Sequence, residues 1–106
     1  MNLKETDVSL LERSCAIYML LLISDNEGQT KKRLTTSGES YNERTKFQRV
    51  NELIAAGLVE YRKEGARYNA GSLYLTEEGN EVVKNLRKVR SVLLKLDRNK
   101  AAVESE

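Results

Sequence analysis

Residues 40–79 decide the fold of this chain. They read SYNERTKFQRVNELIAAGLVEYRKEGARYNAGSLYLTEEG. An amphipathic segment stops at a glycine, and a short apolar strand follows it. A polar, basic loop then leads to a second short strand and to the start of another helix. The order helix, strand, basic loop, strand, helix predicts a packed helix beside a two-stranded hairpin with a charged tip.

The third of four predicted helices, helix 3, spans residues 40–56. Ser40 and Glu43 have the spacing of a capping box, in which a hydroxyl and a carboxylate satisfy free backbone amides. Gly57 followed by Leu58 is the pattern that ends helices in a Schellman motif. One side of the segment is apolar on a helical wheel, and it is predicted to pack on the other helices through Phe47, Val50, Leu53 and Ile54.

The hairpin that follows is predicted over residues 58–75. Apolar and polar residues alternate around Val59 and Tyr61, and again around Leu73 and Leu75, as they do in half-buried strands. The loop between the two strands is too long for a two-residue turn and carries an excess of cations. We therefore expect a hairpin whose strands pack on the helices and whose tip lies in solvent.

Helix 4 is predicted over residues 76–97, and residues 98–106 are predicted to be a frayed tail. Its apolar residues are spaced 4, 3, 4 and 3 apart, as in a coiled-coil seam: Val82, Leu86, Val89, Leu93 and Leu96. This stripe either packs on its own domain or meets another chain. A three-helix domain with a hairpin is complete without the end of helix 4, so we predict a symmetric homodimer built from helix 4 and helped by helix 1.

The N-terminal third is predicted to contain two further helices. Helix 1 spans residues 9–26, with a capping-box spacing at its start, and its second half is apolar on every side. Helix 2 is short and spans residues 30–36, with Thr30 as its N-cap. At 106 residues, with glycines at the predicted boundaries, the chain is predicted to form a single domain over residues 1–97.

The polar side of helix 3 carries groups that can bond base edges and phosphates. Arginine bonds guanine, asparagine and glutamine bond adenine, and threonine contacts the thymine methyl group. A helix N-terminus also binds phosphate through free amides. The candidate DNA-binding residues here are Ser40, Tyr41, Asn42, Arg44, Thr45, Gln48 and Arg49. The alternative is an ordinary solvated face, although such faces are usually richer in Glu and Lys pairs.

Two groups of cations extend this candidate surface. The hairpin loop contributes the cations Arg62, Lys63 and Arg67, together with Tyr68, whose hydroxyl can bond a phosphate. The start of helix 2 contributes Lys31, Lys32 and Arg33. Residues 31–76 carry 9 basic and 5 acidic groups, whereas residues 1–30 carry 2 and 5. The positive charge is therefore concentrated where a nucleic acid would be bound. Simple solvation is the alternative for both groups.

Two motifs resemble the winged helix-turn-helix family of DNA-binding proteins, in particular small prokaryotic or archaeal transcription regulators of the MarR/PadR-like kind. Residues 53–59, LIAAGLV, resemble the family's passage from recognition helix to wing, and residues 73–79, LYLTEEG, its passage from wing to last helix. The resemblance covers about residues 9–97. It implies an α+β, mostly helical fold with a three-helix core, a two-stranded wing and a C-terminal dimerisation helix. Helix 3 would then be the recognition helix, placed in the major groove.

The resemblance implies duplex DNA and a second copy of the chain as partners. This chain is shorter than full-length regulators of that kind, so the sequence does not predict a large effector pocket. A winged-helix module for protein–protein contact and a non-specific chromosome-coating protein are the alternatives. A protein-binding module would be expected to expose apolar groups on helix 3 or on the wing, whereas the predicted face is polar.

Other functional classes lack the residues they need. The chain has no histidine, one cysteine and no glycine-rich phosphate loop, so we expect no enzyme activity, no metal site and no cofactor. No apolar run is long enough to cross a bilayer, and with no secretory signal and a single thiol we expect a cytoplasmic protein. Cys15 lies in an apolar stretch, which favours an inert buried thiol over a redox or ligand-sensing role.

Overall fold

The computed structural model describes residues 3–36, 38, 41–63 and 71–104, without the side chains of residues 99–104. Within these ranges the chain forms a 3-10 turn at Glu5–Asp7, five α-helices and two strands. The helices are α1 Ser9–Glu12, α2 Ala16–Asp25, α3 Lys31–Thr36, α4 Glu43–Ala55 and α5 Glu77–Glu104; the strands are β1 Val59–Arg62 and β2 Ser72–Leu75. The predicted α+β, mostly helical winged-helix architecture is confirmed. None of the described helices has the length and apolar character that a membrane crossing requires.

One hydrophobic core joins every element from α2 onward. Helix α2 lies at its centre and contributes Met19, Leu20 and Ile23, all fully buried. The other helices and both strands close around them with Leu34, Val50, Leu53, Val59, Leu73, Leu75 and Val83. The apolar second half of predicted helix 1 is thus partly accounted for by the core, and α4 contributes one face to that core.

The two strands pair in antiparallel register, with Val59 opposite Leu75 and Arg62 opposite Ser72. The segment between α2 and α3 adds to the free edge of β2. The Gly28 amide donates to the Leu73 carbonyl at 2.9 Å, and the Leu73 amide donates to the Gln29 carbonyl at 2.9 Å. These bonds tie the base of the wing to the connection that precedes α3.

The end of α4 has the predicted Schellman geometry. Gly57 has a φ of +85°, its amide donates to the Ile54 carbonyl at 3.0 Å, and the Leu58 amide donates to the Leu53 carbonyl at 3.1 Å. Leu58 then lies against the first turn of α5, where a Cβ on Gly79 would come within 2.0 Å of the Leu58 carbonyl oxygen. Only glycine lets α5 begin this close to the entry of the wing.

Helix 1 is not the single continuous helix predicted over residues 9–26. The helix breaks after Glu12, Arg13 is extended, and Cys15 has a left-handed φ of 58° before α2 begins. Ser9 does not cap α1, because Val8 occupies the N-cap position and the Ser9 hydroxyl donates to the Thr6 carbonyl. Side chains of α4 bind the chain at this break, and such long-range contacts leave no local sequence signal.

Two other helix boundaries differ from the predictions. α4 begins at Glu43 and not at residue 40, because the Asn42 side chain accepts the Thr45 amide at 2.7 Å and supplies the cap. α5 runs on to Glu104, through the segment that we predicted to be a frayed tail. No glycine or proline follows Gly79, and alanines at positions 101 and 102 favour helix, so nothing stops it earlier.

Candidate nucleic-acid interface

Helix α4 presents a mixed outward face to solvent. Arg44, Phe47, Gln48 and Asn51 are exposed, and their spacing of three and four residues puts them side by side. Phe47 was predicted on the packed side, but 46% of its surface is exposed. Val50 and Leu53 are buried as predicted, and Lys46 and Arg49 are buried with them. The buried stripe is therefore rotated away from Phe47.

Arg44 and Gln48 lie where the sequence placed them, on the exposed side of α4. Tyr41 and Asn42 precede the helix and are also exposed; the Tyr41 ring lies 5.9 Å from that of Tyr18 in a tilted arrangement. Thr45 is only half-buried, with its amide bonded to the Asn42 cap. The predicted residue Ser40 lies outside the described residues.

Arg49 does not belong to the outward face, contrary to its assignment from sequence. It is 9% exposed, its Nε donates to the Ser14 carbonyl at 2.9 Å, and its Nη1 donates to both Glu52 carboxylate oxygens at 2.8 and 2.9 Å. Arg13 joins the same carboxylate at 3.2 Å. Arg49 therefore binds α4 to the break between α1 and α2, and we remove it from the candidate DNA-binding set.

Lys46 is a second buried cation of α4 that the sequence did not single out. It is 1% exposed, and its Nζ donates to the Gly38 carbonyl at 3.4 Å. Gly38 has a φ of +83°, which is a conformation that glycine adopts readily. Lys46 thus binds α4 to the backbone at Gly38. Its spacing of four residues from Val50 was the available signal that it lies on the packed side.

The three cations of α3 have different surroundings. Lys32 and Arg33 are exposed. Lys31 is half-buried: its Nζ donates to Asn51 Oδ1 at 2.9 Å and lies 5.4 Å from the centroid of the Phe47 ring and 4.9 Å from that of Tyr61. An ammonium over two aromatic rings is stabilised by their quadrupoles. Lys31 therefore connects α3, α4 and β1, which the sequence did not predict.

The wing contributes Arg62 and Lys63, which are exposed as predicted. The Arg62 guanidinium lies 4.4 Å from the centroid of the Tyr74 ring across the hairpin and donates to the Glu60 carboxylate at 3.0 Å. The Tyr61 hydroxyl accepts the Gly71 amide at 3.0 Å, which holds its ring beside Lys31. The two other predicted residues of the wing, Arg67 and Tyr68, lie outside the described residues.

Cys15 lies behind α4, and its predicted burial is confirmed. Burial raises the pKa of the thiol above its ordinary value, while the positive charges of Arg49 and Lys46 oppose that shift with a smaller effect. A thiol that keeps its proton is a weak nucleophile and a weak metal ligand. Among the described residues, no three His, Cys, Asp or Glu side chains are grouped as a metal site would require.

The second half of α5 projects apolar side chains into solvent. Val82 and Leu86 are half-buried against the core, and Arg87 bonds Asp25 of α2 at 2.6 Å. Beyond this point five large apolar residues are 43–58% exposed: Val89, Val92, Leu93, Leu94 and Leu96. The predicted stripe therefore divides into a first part that packs on the domain and a second part that no described residue of this chain covers.

No family model matches this sequence, and no curated protein matches it either. Its fold does match solved structures. One is a possible HxlR family transcriptional factor from Thermoplasma volcanium GSS1, 23% identical, with a TM-score of 0.72 over 92% of this chain and 87% of that chain. Another is the reduced form of the transcriptional regulator YodB from B. subtilis, 19% identical, with a TM-score of 0.67 over 86% and 90%.

FabT of Streptococcus pneumoniae, solved in complex with DNA, shares the fold as well. It is 13% identical, with a TM-score of 0.68 over 88% of this chain and 68% of that chain. Identities at this level establish the winged-helix fold and do not transfer a function. The fold does give the elements their usual names: α3 and α4 form the helix-turn-helix, and β1 and β2 form the wing.

Proposed function

We propose that this chain is a transcriptional regulator that binds duplex DNA as a homodimer. Helix α4 enters the major groove, and the wing lies on the backbone or in the adjacent minor groove. The observation that carries the proposal is the outward face of α4, where Arg44, Gln48 and Asn51 extend side by side into solvent while the opposite face holds the core. Arginine and glutamine bind base edges through pairs of hydrogen bonds.

The cations around α4 support the same arrangement. Lys32 and Arg33 lie on the preceding helix, and Arg62 and Lys63 on the wing. A groove-bound α4 would bring both groups toward the phosphates of the flanking backbone. Each phosphate neutralised by a cation releases counterions and adds about 0.9 to the slope of log affinity against log salt for B-DNA. Positioning would come from these contacts, and sequence preference from the face of α4.

The apolar half of α5 supports a second copy of the chain as its partner. The stripe continues the 4-3-4-3 spacing that starts within the domain, and such a seam is self-complementary when two identical helices meet. Leu3 and Val8, 72% and 45% exposed, add apolar surface at the N-terminus. A two-fold axis through such an interface would present two copies of α4 to major-groove segments about 34 Å apart.

Fluorescence anisotropy with labelled random-sequence duplexes at low and moderate salt tests DNA binding. We expect binding at low salt that weakens steeply as salt rises. Arg62→Ala should lower the salt slope by about one for each protomer, and so by about two for the dimer. Lys84→Ala, which removes an exposed cation from α5, outside α4 and the wing, is the matched control and should leave the slope unchanged. Absence of binding at low salt would contradict the proposal.

A further inference from the structure

We infer that Phe47 and Asn51, held in place by Lys31, form a site that recognises thymine in the major groove. This inference rests on the proposed function, because it requires α4 to lie in the groove. It goes beyond that function by assigning one base to one pair of side chains. Neither residue was among the DNA-binding candidates found from sequence, since Phe47 was placed on the packed side and Asn51 was not considered.

Phe47 is the apolar half of the site. It lies on the outward face of α4, one turn after Arg44 and one turn before Asn51, with 46% of its surface exposed. A groove-bound α4 that brings Arg44 and Asn51 to the bases would therefore bring this ring there too. Phenylalanine offers a base no hydrogen bond, but it can pack against the C5 methyl group, which thymine alone presents in the major groove of unmodified DNA.

Asn51 is the polar half, and its contact with Lys31 fixes what it can offer. The Lys31 Nζ donates to Asn51 Oδ1 at 2.9 Å, because an ammonium has only donors, so the amide oxygen already has a partner and Nδ2 is the donor that Asn51 can offer to a base. Asparagine binds adenine through its oxygen and its nitrogen together. Lys31 occupies one of the two lone pairs of this oxygen, so the pairing with adenine is weakened and donation from Nδ2 to a base acceptor is favoured.

Thymine matches this combination better than the other bases. It presents the O4 acceptor beside the C5 methyl group, which fits a donor beside an aromatic ring. Guanine presents acceptors but no methyl group, and cytosine presents a donor where Asn51 also donates. The Tyr61 ring lies with its centroid 4.9 Å from the Lys31 Nζ, and its hydroxyl accepts the Gly71 amide. The wing therefore positions Lys31, and Lys31 positions the side-chain amide of Asn51.

The test uses duplexes enriched by the wild-type protein from a random pool, with each thymine replaced in turn by deoxyuridine, which lacks only the methyl group. We expect one thymine in each half-site at which this replacement weakens binding about fourfold, the effect of losing one buried methyl group. Phe47→Ala should bind the thymine and deoxyuridine duplexes equally. Gln48→Ala removes a neighbouring base contact but keeps the ring, so it should weaken binding of both duplexes and retain the difference between them.

A second set of duplexes tests Asn51 at the same position. 5-Methylcytosine keeps the methyl group but presents a donor in place of O4, so the wild-type protein should reject it more strongly than deoxyuridine. Asn51→Ala should lose most of that rejection. Lys31→Met frees the Asn51 oxygen, and adenine should then be tolerated where thymine was required. Each of these outcomes supports the assignment of one group to one base feature.

Two results separate failure of this site from failure of the proposed function. If enriched duplexes outcompete random DNA but wild-type protein binds the thymine and deoxyuridine forms equally at every position, the thymine site is wrong and DNA binding stands. If no duplex is enriched, both are wrong. The central comparison uses wild-type protein on two duplexes, so it does not depend on the folding of any variant.

Discussion

Arg44 and Arg49 stand five residues apart on α4 and have opposite surroundings. Arg44 is exposed on the outward face, whereas Arg49 is buried and bonded to the Ser14 carbonyl and the Glu52 carboxylate. The same guanidinium is thus available to a ligand at one position and holds the fold together at the other. The rotation of the helix, and not the residue type, decides which role each arginine has.

The different surroundings of the two arginines predict different effects of their removal on stability. Arg49→Ala should lower the free energy of unfolding by about 2 kcal/mol, because the Ser14 carbonyl and the half-buried Glu52 carboxylate each lose a charged donor. Arg44→Ala should change it by less than about 0.5 kcal/mol, since its side chain lies in solvent, and should instead reduce discrimination between DNA sites. Urea denaturation of the two variants checks the first effect. Equal stability of both would contradict the structural role of Arg49.

Gly79 and Gly57 are both required, for different reasons. A Cβ at Gly79 would lie 2.0 Å from the Leu58 carbonyl oxygen, so Gly79→Ala must separate α5 from the wing entry and should cost about 3 kcal/mol or more. Gly57 has open space around it and only a left-handed φ, so Gly57→Ala should cost about 1–2 kcal/mol. Urea denaturation compares the free energies of unfolding of the two variants. A larger loss of stability for Gly57→Ala than for Gly79→Ala would contradict the close contact at Gly79.

Cys15 predicts a pH dependence of stability. Because burial raises its pKa, the folded chain keeps the thiol proton at a pH where the unfolded chain has lost it. The free energy of unfolding should therefore fall above roughly pH 8.5, and Cys15→Ala should lack this component. Urea denaturation at pH 7 and pH 10 should show the wild-type advantage over the variant shrinking. An unchanged difference would mean that the thiol ionises as easily in the fold.

At the scale of elements, signals local to the chain predicted the structure well. The Schellman stop at Gly57, the two strands and the start of α5 after Thr76 each depend on residues within one turn of one another. The break between α1 and α2 was missed because its cause is Arg49, 35 residues from Ser14. The cap at Asn42 was missed because Ser40 offers an equally good spacing, and sequence spacing does not choose between two cap residues.

The candidate interface was predictable to a similar degree. Arg44, Gln48, Arg62 and Lys63 were found because a polar face and a basic hairpin are visible in sequence. Phe47 was assigned to the packed side because the helical wheel groups it with Val50, Leu53 and Ile54. Asn51 was passed over because its role comes from Lys31, 20 residues away. A wheel centred on Lys46 and Val50 would have placed Phe47 correctly, but lysine is so rarely buried that its spacing from Val50 alone did not favour that choice.

The apolar half of α5 predicts that a charge placed within it will disrupt the proposed dimer. Leu93→Glu places a charge in the centre of the stripe, where burial between two helices would be costly, so we expect it to shift the chain from dimer to monomer. Ser91→Glu adds the same charge two residues away, off the stripe, and is the matched control. Sedimentation equilibrium at tens of micromolar checks both variants. A monomeric wild-type protein under these conditions would contradict the proposed interface.

At the scale of the whole molecule, the long helix α5 and the proposed recognition helix α4 are consistent with a single type of assembly. The chain extends 57 Å along its longest axis, because α5 continues well past the core that its first turns join. A compact domain that we propose contacts DNA at one end, and an apolar helix at the other, suit a two-fold assembly. In such an assembly, the spacing between the two copies of α4 would be set by how the α5 helices pair.

Selection of bound fragments from random duplex DNA examines binding, sequence preference and symmetry in one experiment. We expect an enriched inverted repeat whose half-sites lie about one helical turn, or a whole number of turns, apart. Each half-site should contain a thymine whose methyl group contributes to affinity. Failure to enrich any sequence, or enrichment of a single unrepeated site, would contradict a DNA-binding dimer.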